Sequence, residues 1–244
     1  FEMCGVMGRR YPSSKTELST LRALQRGVFA KRTIKPGQKI NQEDIFLAIP
    51  TTQGQVTAND LSKYTHFYAL SEIKAKAPVL FAEVKQVNVR ETVYNIVQQV
   101  KSLLKKSGAV VPGKSDFEIS HHYGLERFPE FGATIINLIN REYCKKLIVM
   151  LPGQKHPEQY HRKKEETFHV LYGTVLLNLN GTSMKCSQGD IVTVERGVKH
   201  SFSSPDGAVI EELSSTHYTD DSFYTDPAIL ANKERKTRLT HWLD

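Results

Sequence analysis

The sequence contains few of the residues that build disulfide-bonded or membrane-spanning proteins. It has three cysteines in 244 residues, Cys4, Cys144 and Cys186, and their odd number and wide scatter argue against a disulfide framework or a CxxC metal knuckle. No apolar stretch approaches the roughly 20 residues that a membrane helix requires, and the first residues lack a signal-peptide pattern. The composition, with 15 glycines and 10 prolines, is that of a globular protein. We expect reduced thiols and a cytoplasmic location.

Excess positive charge is confined to the first half of the chain. The formal net charge is +7, but residues 1–107 hold 17 basic and 8 acidic residues whereas residues 108–244 hold 16 basic and 18 acidic ones. The basic residues are dispersed and are not interleaved with aromatic residues, so nucleic-acid binding is only weakly indicated; it would show as an affinity that falls steeply with salt. We expect neither a nucleic-acid nor a membrane partner.

The first half contains strands and turns, followed by one helix. Pro36 and Gly37 predict a tight turn, and Asn41 is a candidate cap for a short helical turn. No internal repeat is apparent. Apolar residues then recur at helical spacing from Asn88 to Lys106, which predicts an amphipathic helix that packs rather than binds a cofactor. We divide the chain into a tail (1–20), a first domain (21–72), a helical connector (73–113) and a second domain (114–244).

The second half contains short runs rich in β-forming residues, separated by turns. The predicted strands are residues 134–139, 147–151, 167–171, 175–180, 191–194 and 209–213. Closely spaced strands without intervening helices are typical of an antiparallel sandwich or barrel. The fold class expected for the whole chain is mainly β with some α.

Polar residues with metal-binding chemistry cluster in this second half. Gln159 and His161 share one face of a strand because side chains alternate, and Glu166 begins the next strand. His200 supplies a second imidazole. Two histidines and a carboxylate, with room for a fourth ligand, are a set that Zn, Mn, Fe, Ni or Co can use, so we predict a divalent metal site here. Its residues are Gln159, His161, Glu166 and His200, and the amide oxygen of Gln159 is a weaker ligand than an imidazole. A polar pocket that binds a ligand without metal is the alternative.

The spacing of these residues resembles the two motifs of the cupin superfamily, G-x5-H-x-H-x(3,4)-E-x6-G and G-x5-P-x-G-x2-H-x3-N. The residues that match the motif positions are Gly153, Gln159, His161, Glu166 and Gly173 for the first motif and Gly189, Glu195, Gly197, His200 and Ser204 for the second. The identities depart at three positions, where Gln159 replaces histidine, Glu195 replaces proline and Ser204 replaces asparagine. The resemblance implies a double-stranded β-helix, or jelly-roll barrel.

Residues around this cluster predict a small ligand. Tyr160 and Phe168 could pack against it, while a basic rim favours an acidic or phosphorylated sugar. The basic rim residues are Arg162, Lys163, Lys164 and Lys199. An ordinary solvated turn is the alternative for residues 162–164. Glu211 and Glu212 alternate along one strand, so only one can face the barrel, and that one is the candidate acid/base group.

Within the cupins, the second half is similar to sugar isomerases of the D-lyxose isomerase type, whose layout His161, Lys163, Glu166 and His200 fit and Gln159 breaks. The resemblance implies aldose–ketose interconversion, with Lys163 in the catalytic layout, Glu211 or Glu212 as the base, and a homodimer. Exchange of a sugar C1 or C2 hydrogen in heavy water would support this interpretation. A ligand-dependent thermal shift without exchange would favour a non-catalytic sugar-binding or regulatory module.

The first module resembles a SAF, or antifreeze-like, domain. Residues 26–38 and 42–45 resemble its opening pattern, R-S-L-x-A-x-x-x-I-x-x-G-x-x-I-x-x-x-D. The whole chain is similar to the C-terminal part of N-acetylneuraminate (sialic acid) synthase-like proteins that carry an added cupin. The resemblance implies a role in nonulosonic-acid or surface-polysaccharide biosynthesis, with the tail 1–20 belonging to an absent catalytic barrel. Without that barrel we expect no condensation activity.

Overall fold

The computed structural model describes residues 12–242, and the chain divides into two compact units, Phe1–Tyr94 and Asn95–Asp244. The first unit contains one helix and two antiparallel hairpins. Its elements are α1 (Lys15–Ala23), β1 (Gly27–Ala30) paired with β2 (Ile45–Ala48), and β3 (Thr65–Ala69) paired with β4 (Val84–Asn88). Cys4 lies outside the described residues.

The first unit is built from two copies of one backbone pattern. Ile34, after β1, and Ile73, after β3, exchange both of their backbone hydrogen bonds, at 2.9 and 3.0 Å. Two further bonds of 2.9 Å repeat the relation, from the N–H of Val79 to Val28 and from the N–H of Ile40 to Phe67. An approximate twofold axis therefore passes between Ile34 and Ile73. The expectation that the chain has no internal repeat was wrong.

The repeat is hidden because the two copies share backbone conformation more than residue identity. Gly37 in the first copy and Lys76 in the second both have a positive φ, +77° and +67°. Glycine adopts this left-handed conformation without cost, whereas lysine does so rarely. A turn signal visible in one copy is therefore absent from the other.

Two predicted boundaries differ from the structure. Residues 73–88, assigned to the helical connector, contain β4 and the buried residues Ile73 and Val79, which belong to the core of the first unit. The helix α2 spans only Arg90–Ser107. Residues 15–20, assigned to the tail, lie in α1, while residues 1–11 lie outside the described part. Among the described residues, no helix combines the length and apolar character needed to cross a membrane.

The second unit is a curled antiparallel sheet of eleven strands, as the sequence predicts for its class. Its spatial order is β14-β8-β12-β9-β13-β7-β6-β5-β15, with β10 and β11 also pairing with β9. The strands are β5 (Asp116–Ser120), β6 (Ala133–Asn140), β7 (Tyr143–Met150), β8 (Lys155–Tyr160), β9 (Glu166–Leu179), β10 (Thr182–Ser187), β11 (Ile191–Val194), β12 (His200–Ser203), β13 (Ala208–Ser215), β14 (Phe223–Tyr224) and β15 (Lys236–Leu239). A short helix, α3 (Pro227–Ala231), follows β14.

The long strand β9 connects the two sides of this curled sheet. Its first part pairs with β11 and β13, and its second part pairs with β10 and β12. Gly173, at φ +80°, lies where the pairing changes, and a Cβ there would clash with the carbonyl of Gly207. The sequence predicts two strands, 167–171 and 175–180, where the structure has one strand that bends. The bend brings the start of β9 and the start of β12 to one cavity.

Candidate functional site

A cavity of about 250 Å³ lies in the second unit. Its wall contains side chains from several strands of the curled sheet, including β5, β6, β7, β8, β9 and β13. The buried polar residues in this wall include His161, Lys164, Glu166 and Glu212. Because a buried polar group must be hydrogen-bonded or paired, the arrangement of these four side chains decides what the cavity can bind.

Three predicted ligands converge at one point, and two of them, His161 and Glu166, line this cavity. His161 follows β8, Glu166 opens β9 and His200 opens β12, and their candidate ligand atoms all lie within 4.8 Å of one another. Glu166 places one carboxylate oxygen 3.4 Å from His161 Nε2 and the other 3.2 Å from His200 Nε2. All three residues are buried. We refer to His161, Glu166 and His200 as the metal triad.

The imidazole rings of the triad are oriented by backbone carbonyls. His161 Nδ1 contacts the carbonyl oxygen of Asp221, and His200 Nδ1 lies 3.1 Å from that of Val198. Since a carbonyl only accepts, each ring carries a hydrogen on Nδ1, and in the neutral tautomer its Nε2 turns a lone pair towards Glu166. Burial lowers the pKa of His200, which favours this neutral form.

In the described part of the chain, two buried acceptor atoms of the triad lack a donor. Among the described residues, neither His161 Nε2 nor Glu166 Oε2 has a hydrogen-bond partner. A divalent cation would satisfy both lone pairs and the carboxylate, and imidazole with carboxylate is a donor set that suits first-row divalent metals. The residues present fit such an ion.

A buried network of ion pairs continues from the triad. Lys164 contacts Glu166 directly, and its Nζ lies 2.9 Å from Glu212 Oε1. Burial alone would raise the pKa of Glu166, but the charge of Lys164, which contacts the carboxylate, holds it well below its usual value. Burial would likewise lower the pKa of Lys164, yet Glu212 and Glu166 raise it. Both side chains are therefore charged at neutral pH.

Glu212 is the member of the predicted glutamate pair that faces the cavity. It is buried and lies 3.3 Å from the Nζ of Lys146 as well as beside Lys164. Burial would raise its pKa, but the two lysines lower it. Glu211 faces the other way and pairs with Lys145 at 2.7 Å on the outer surface. Alternation along β13 thus places one carboxylate inside, beside the triad, and one outside.

Gln159 lies against the triad from the neighbouring strand position. Its Cα is paired with that of His200 between β8 and β12, and its Nε2 lies 3.4 Å from His200 Nε2. Gln159 is buried and forms part of the cavity wall. The amide of Gln159 therefore lies beside His200, one of the three residues of the triad.

Several predicted ligand-contacting residues do not line the cavity. Lys163 is exposed, with Nζ 3.4 Å from Asp220, so its assignment to the catalytic layout does not agree with the geometry. Tyr160 stacks on Phe223, 5.2 Å between ring centroids, and Lys199 is exposed. They lie elsewhere because alternation turns residue 160 away from the face that carries 159, and because residues 163 and 199 lie in turns. Phe168 does line the cavity, as does Lys164.

Two residues that support the site were missed by the sequence analysis. Lys146 is a buried cation on β7, next to the partly exposed Lys145 and before an apolar run, and no pattern in the sequence distinguishes the two lysines. Asp221 is buried; its carboxylate accepts from the backbone N–H of Arg162, Lys163 and Lys164 at 2.9 to 3.2 Å, and its carbonyl orients His161. Asp221 lies about sixty residues from the loop it holds, and no local pattern marks it.

Residues 146–213 match the family profile described as Cupin domain. The second unit therefore contains a cupin domain.

The relatives of the chain include sugar isomerases. Over 171 residues it is 28% identical to a D-lyxose/D-mannose isomerase of Thermosediminibacter oceani, covering 57% of this chain and 94% of the relative. Among solved structures, it resembles L-ribose isomerase of Geodermatophilus obscurus with a TM-score of 0.49 and 15% identity, covering 58% and 94% of the two chains. It also matches, at 37% identity and a TM-score of 0.32, a Chromobacterium violaceum structure described as spore coat polysaccharide biosynthesis protein E, covering 34% of this chain and 25% of that one.

Proposed function

We propose that the second unit is a metal-dependent aldose–ketose isomerase that acts on a monosaccharide. The observation that carries this proposal is the buried convergence of the metal triad with Glu212 and Lys164 in one cavity. A metal site beside a separate, ionised carboxylate provides the two groups that the reaction needs, one to polarise oxygen and one to move a proton. The similarity to curated D-lyxose isomerases supports the same reaction class.

In the proposed reaction, Glu212 moves the proton between two carbons. The carboxylate takes the hydrogen from C2 of the aldose, the electrons shift to the C1 carbonyl oxygen, and the same carboxyl returns the proton to C1. The hydrogen of the C2 hydroxyl passes to the oxygen on C1, so the product is the ketose. A divalent ion held by the triad would polarise the sugar oxygens on C1 and C2. Lys164 and Lys146 hold Glu212 in the ionised, proton-accepting form.

The cavity favours an uncharged monosaccharide over the acidic or phosphorylated sugar expected from the sequence. Its volume of about 250 Å³ lies at the small end of ligand pockets. Asn137, Asn140 and Ser222 offer neutral polar groups for sugar hydroxyls. The predicted basic rim, by contrast, lies away from the cavity in the case of Lys163 and Lys199. The basic residues that line the cavity, Lys146, Lys164, Lys236 and Arg238, are already paired with carboxylates.

Solvent exchange tests this proposal directly. The protein, loaded with Mn²⁺, is incubated with D-lyxose, D-mannose or L-ribose in heavy water, and proton NMR follows deuterium at C1 and C2 together with ketose formation. We expect exchange and ketose with at least one sugar, and a loss of about 10³-fold or more in Glu212→Gln, which keeps the shape but cannot accept the proton. Glu211→Gln is the matched control on the outer face and retains the rate.

A sugar-binding module without catalysis is the competing function. It has the same cavity but would show a sugar-dependent rise in melting temperature with no deuterium at C1 or C2. That result in the metal-loaded protein, with all three sugars, would refute the isomerase proposal. Equal exchange in Glu212→Gln and the unmodified protein would refute the role of Glu212.

For the first unit we propose a SAF-like domain from a synthase-like protein of acidic-sugar or surface-polysaccharide biosynthesis. The support is the opening pattern of residues 26–45, in which Gly37 forms the predicted turn at positive φ and Asp44 is fully buried and accepts from Arg32 Nε at 2.7 Å. The self-association implied by the resemblance stays a prediction. Light scattering that gives only the monomer mass at micromolar concentration would refute it.

A further inference from the structure

Gln159 stands at the motif position where cupins have a histidine, so an amide replaces an imidazole beside the triad. Its Nε2 lies 3.4 Å from His200 Nε2, the atom that carries a lone pair because the hydrogen of that ring lies on Nδ1. In this arrangement the amide N–H donates to His200. The amide thus partly satisfies the lone pair that a metal ion would use.

A metal ion bound to the triad would favour an acceptor atom, rather than a donor, at the position of the Gln159 amide. Once the lone pair of His200 binds a cation, an N–H group facing the same point would be repelled by it. The side chain of Gln159 carries its acceptor oxygen on the same carbon as the NH₂ group, so a rotation about the terminal bond exchanges donor for acceptor. Gln159 is buried in the cavity wall, where its amide contacts His200.

We propose that Gln159 contributes its amide oxygen as a fourth metal ligand. With this oxygen the site binds Zn²⁺ in preference to Mn²⁺ by a smaller factor than it would with an imidazole at the same position. The inference rests on the proposed metal site and names the kind of ion it holds. Imidazole suits Zn²⁺, Ni²⁺ and Cu²⁺, whereas carbonyl and carboxylate oxygens suit Mn²⁺. A set of two nitrogens and two oxygen donors is therefore better matched to Mn²⁺ than a set of three nitrogens and one carboxylate.

The ratio of two dissociation constants tests this proposal. Protein stripped of metal with a chelator is titrated with Mn²⁺ and with Zn²⁺ by calorimetry, using a competing chelator for the tighter ion. We expect Gln159→His to raise the ratio Kd(Mn)/Kd(Zn) by about tenfold or more, because a nitrogen replaces the oxygen. Gln159→Glu keeps an oxygen donor and should change the ratio by less than about threefold. A ratio in Gln159→His within about threefold of the unmodified value would overturn the proposal.

A second variant covers the case in which histidine does not fit the wall. Gln159→Leu removes both amide atoms at similar size, and we expect its Mn²⁺ affinity to fall about tenfold. An unchanged Mn²⁺ affinity would show that the amide does not bind the ion. The fluorescence of the single tryptophan, Trp242, which is buried in the same unit, checks that each variant is folded before titration.

The outcome is separable from that of the proposed function. The affinity ratio is measured without sugar, so it can support the ligand role of Gln159 even if no sugar undergoes exchange. Conversely, deuterium exchange by the Mn²⁺-loaded protein would support the isomerase while an unchanged ratio in Gln159→His refuted the inference. Absence of any Mn²⁺ or Zn²⁺ binding in the unmodified protein would overturn the inference and remove the metal from the proposed reaction.

Discussion

Two lysine–glutamate pairs occupy neighbouring positions on β7 and β13. They differ in burial, and therefore in how much each ion pair contributes to the free energy of unfolding. Lys146 and Glu212 are both buried and face the cavity, whereas Lys145 and Glu211 lie on the outer face, where the lysine side chain is 40% exposed. Removing one partner of a buried pair leaves a desolvated charge, while an exposed pair is screened by water. The two pairs therefore form a matched experiment within one protein.

We predict that Lys146→Met lowers the free energy of unfolding by about 3 kcal/mol at pH 7, because Glu212 then keeps only Lys164 as a cation. The lowered pKa of Glu212 means that its ion pairs stabilise the fold above about pH 4 and that this contribution disappears as pH falls through the folded-state pKa. The difference between variant and parent should therefore shrink in acid. Urea unfolding at pH 7 and pH 3 measures it.

The control is Lys145→Met, which should cost less than about 1 kcal/mol at either pH. Equal losses in the two variants would show that burial does not separate the pairs. A loss in Lys146→Met that grows towards low pH would contradict the ionised state of Glu212.

Residue spacing in the sequence predicts the metal ligands of this site, but it does not predict the residues that surround and orient them. The positions of His161, Glu166 and His200 follow from motif spacing, because each lies at the start of a strand or just after one. Alternation also predicts that one of Glu211 and Glu212 faces inwards, but the choice depends on the register of β13, which no local pattern sets. Asp221 is beyond reach of sequence reasoning because its partners are backbone N–H groups, which nearly every residue carries.

At the scale of elements, a strand whose buried positions hold polar site residues gives a weaker sequence signal than a strand with an apolar face. The apolar runs of β6, β7, β11 and β13 predict strands that the structure confirms. Strand β8 was predicted only from the polar alternation of Gln159 and His161, and β12 was not predicted, because the buried positions of these strands hold polar rather than apolar residues. These buried polar residues are His156, Gln159 and His200. A functional site replaces the hydrophobic side of the alternation, and with it the signal on which strand prediction depends.

The bend in β9 leads to a prediction about Gly173. Its positive φ disfavours any side chain, and a Cβ would also clash with the Gly207 carbonyl, which cannot move freely because it is backbone. We expect Gly173→Ala to lower the free energy of unfolding by about 3 kcal/mol, from left-handed strain together with the clash. Thermal unfolding followed by circular dichroism measures it.

Gly181, in the turn between β9 and β10, provides the comparison. It also has a positive φ, of +89°, but nothing lies within 4 Å of the point that a Cβ would occupy. Gly181→Ala should therefore cost only about 1 to 2 kcal/mol of conformational strain. If both variants lose the same amount, the close approach of Gly207 to Gly173 contributes nothing, and the bend in β9 does not depend on it.

At the scale of the whole molecule, the two units differ in how much of their architecture the sequence predicts. The cupin domain follows from motif spacing, because its ligands must recur at fixed intervals. The twofold pattern of the first unit was missed, because backbone hydrogen bonds such as those between Ile34 and Ile73 place few demands on side-chain identity beyond burial. Composition separated the halves by charge but could not place the boundary, which lies within α2.

Metal binding should stabilise the second unit, and the protein carries its own reporter for that effect. Trp242 is its single tryptophan; it is buried and its ring packs 4.5 Å from that of Phe117, so its fluorescence follows unfolding of the second unit. A ligand that binds only the folded state at about 100 times its dissociation constant adds about 2.7 kcal/mol to the free energy of unfolding. We expect Mn²⁺ to raise the urea midpoint of the tryptophan signal accordingly.

His161→Gln should abolish this metal-dependent rise, because it removes one imidazole of the triad. His169→Gln, on the same sheet but on the outer face beside Glu211, should retain it. Elemental analysis of the dialysed proteins should give bound metal in the second variant and none in the first. A midpoint that ignores Mn²⁺ in the unmodified protein, or a rise of equal size in His161→Gln, would mean that the lone pairs which converge on Glu166 are satisfied by something other than a divalent ion.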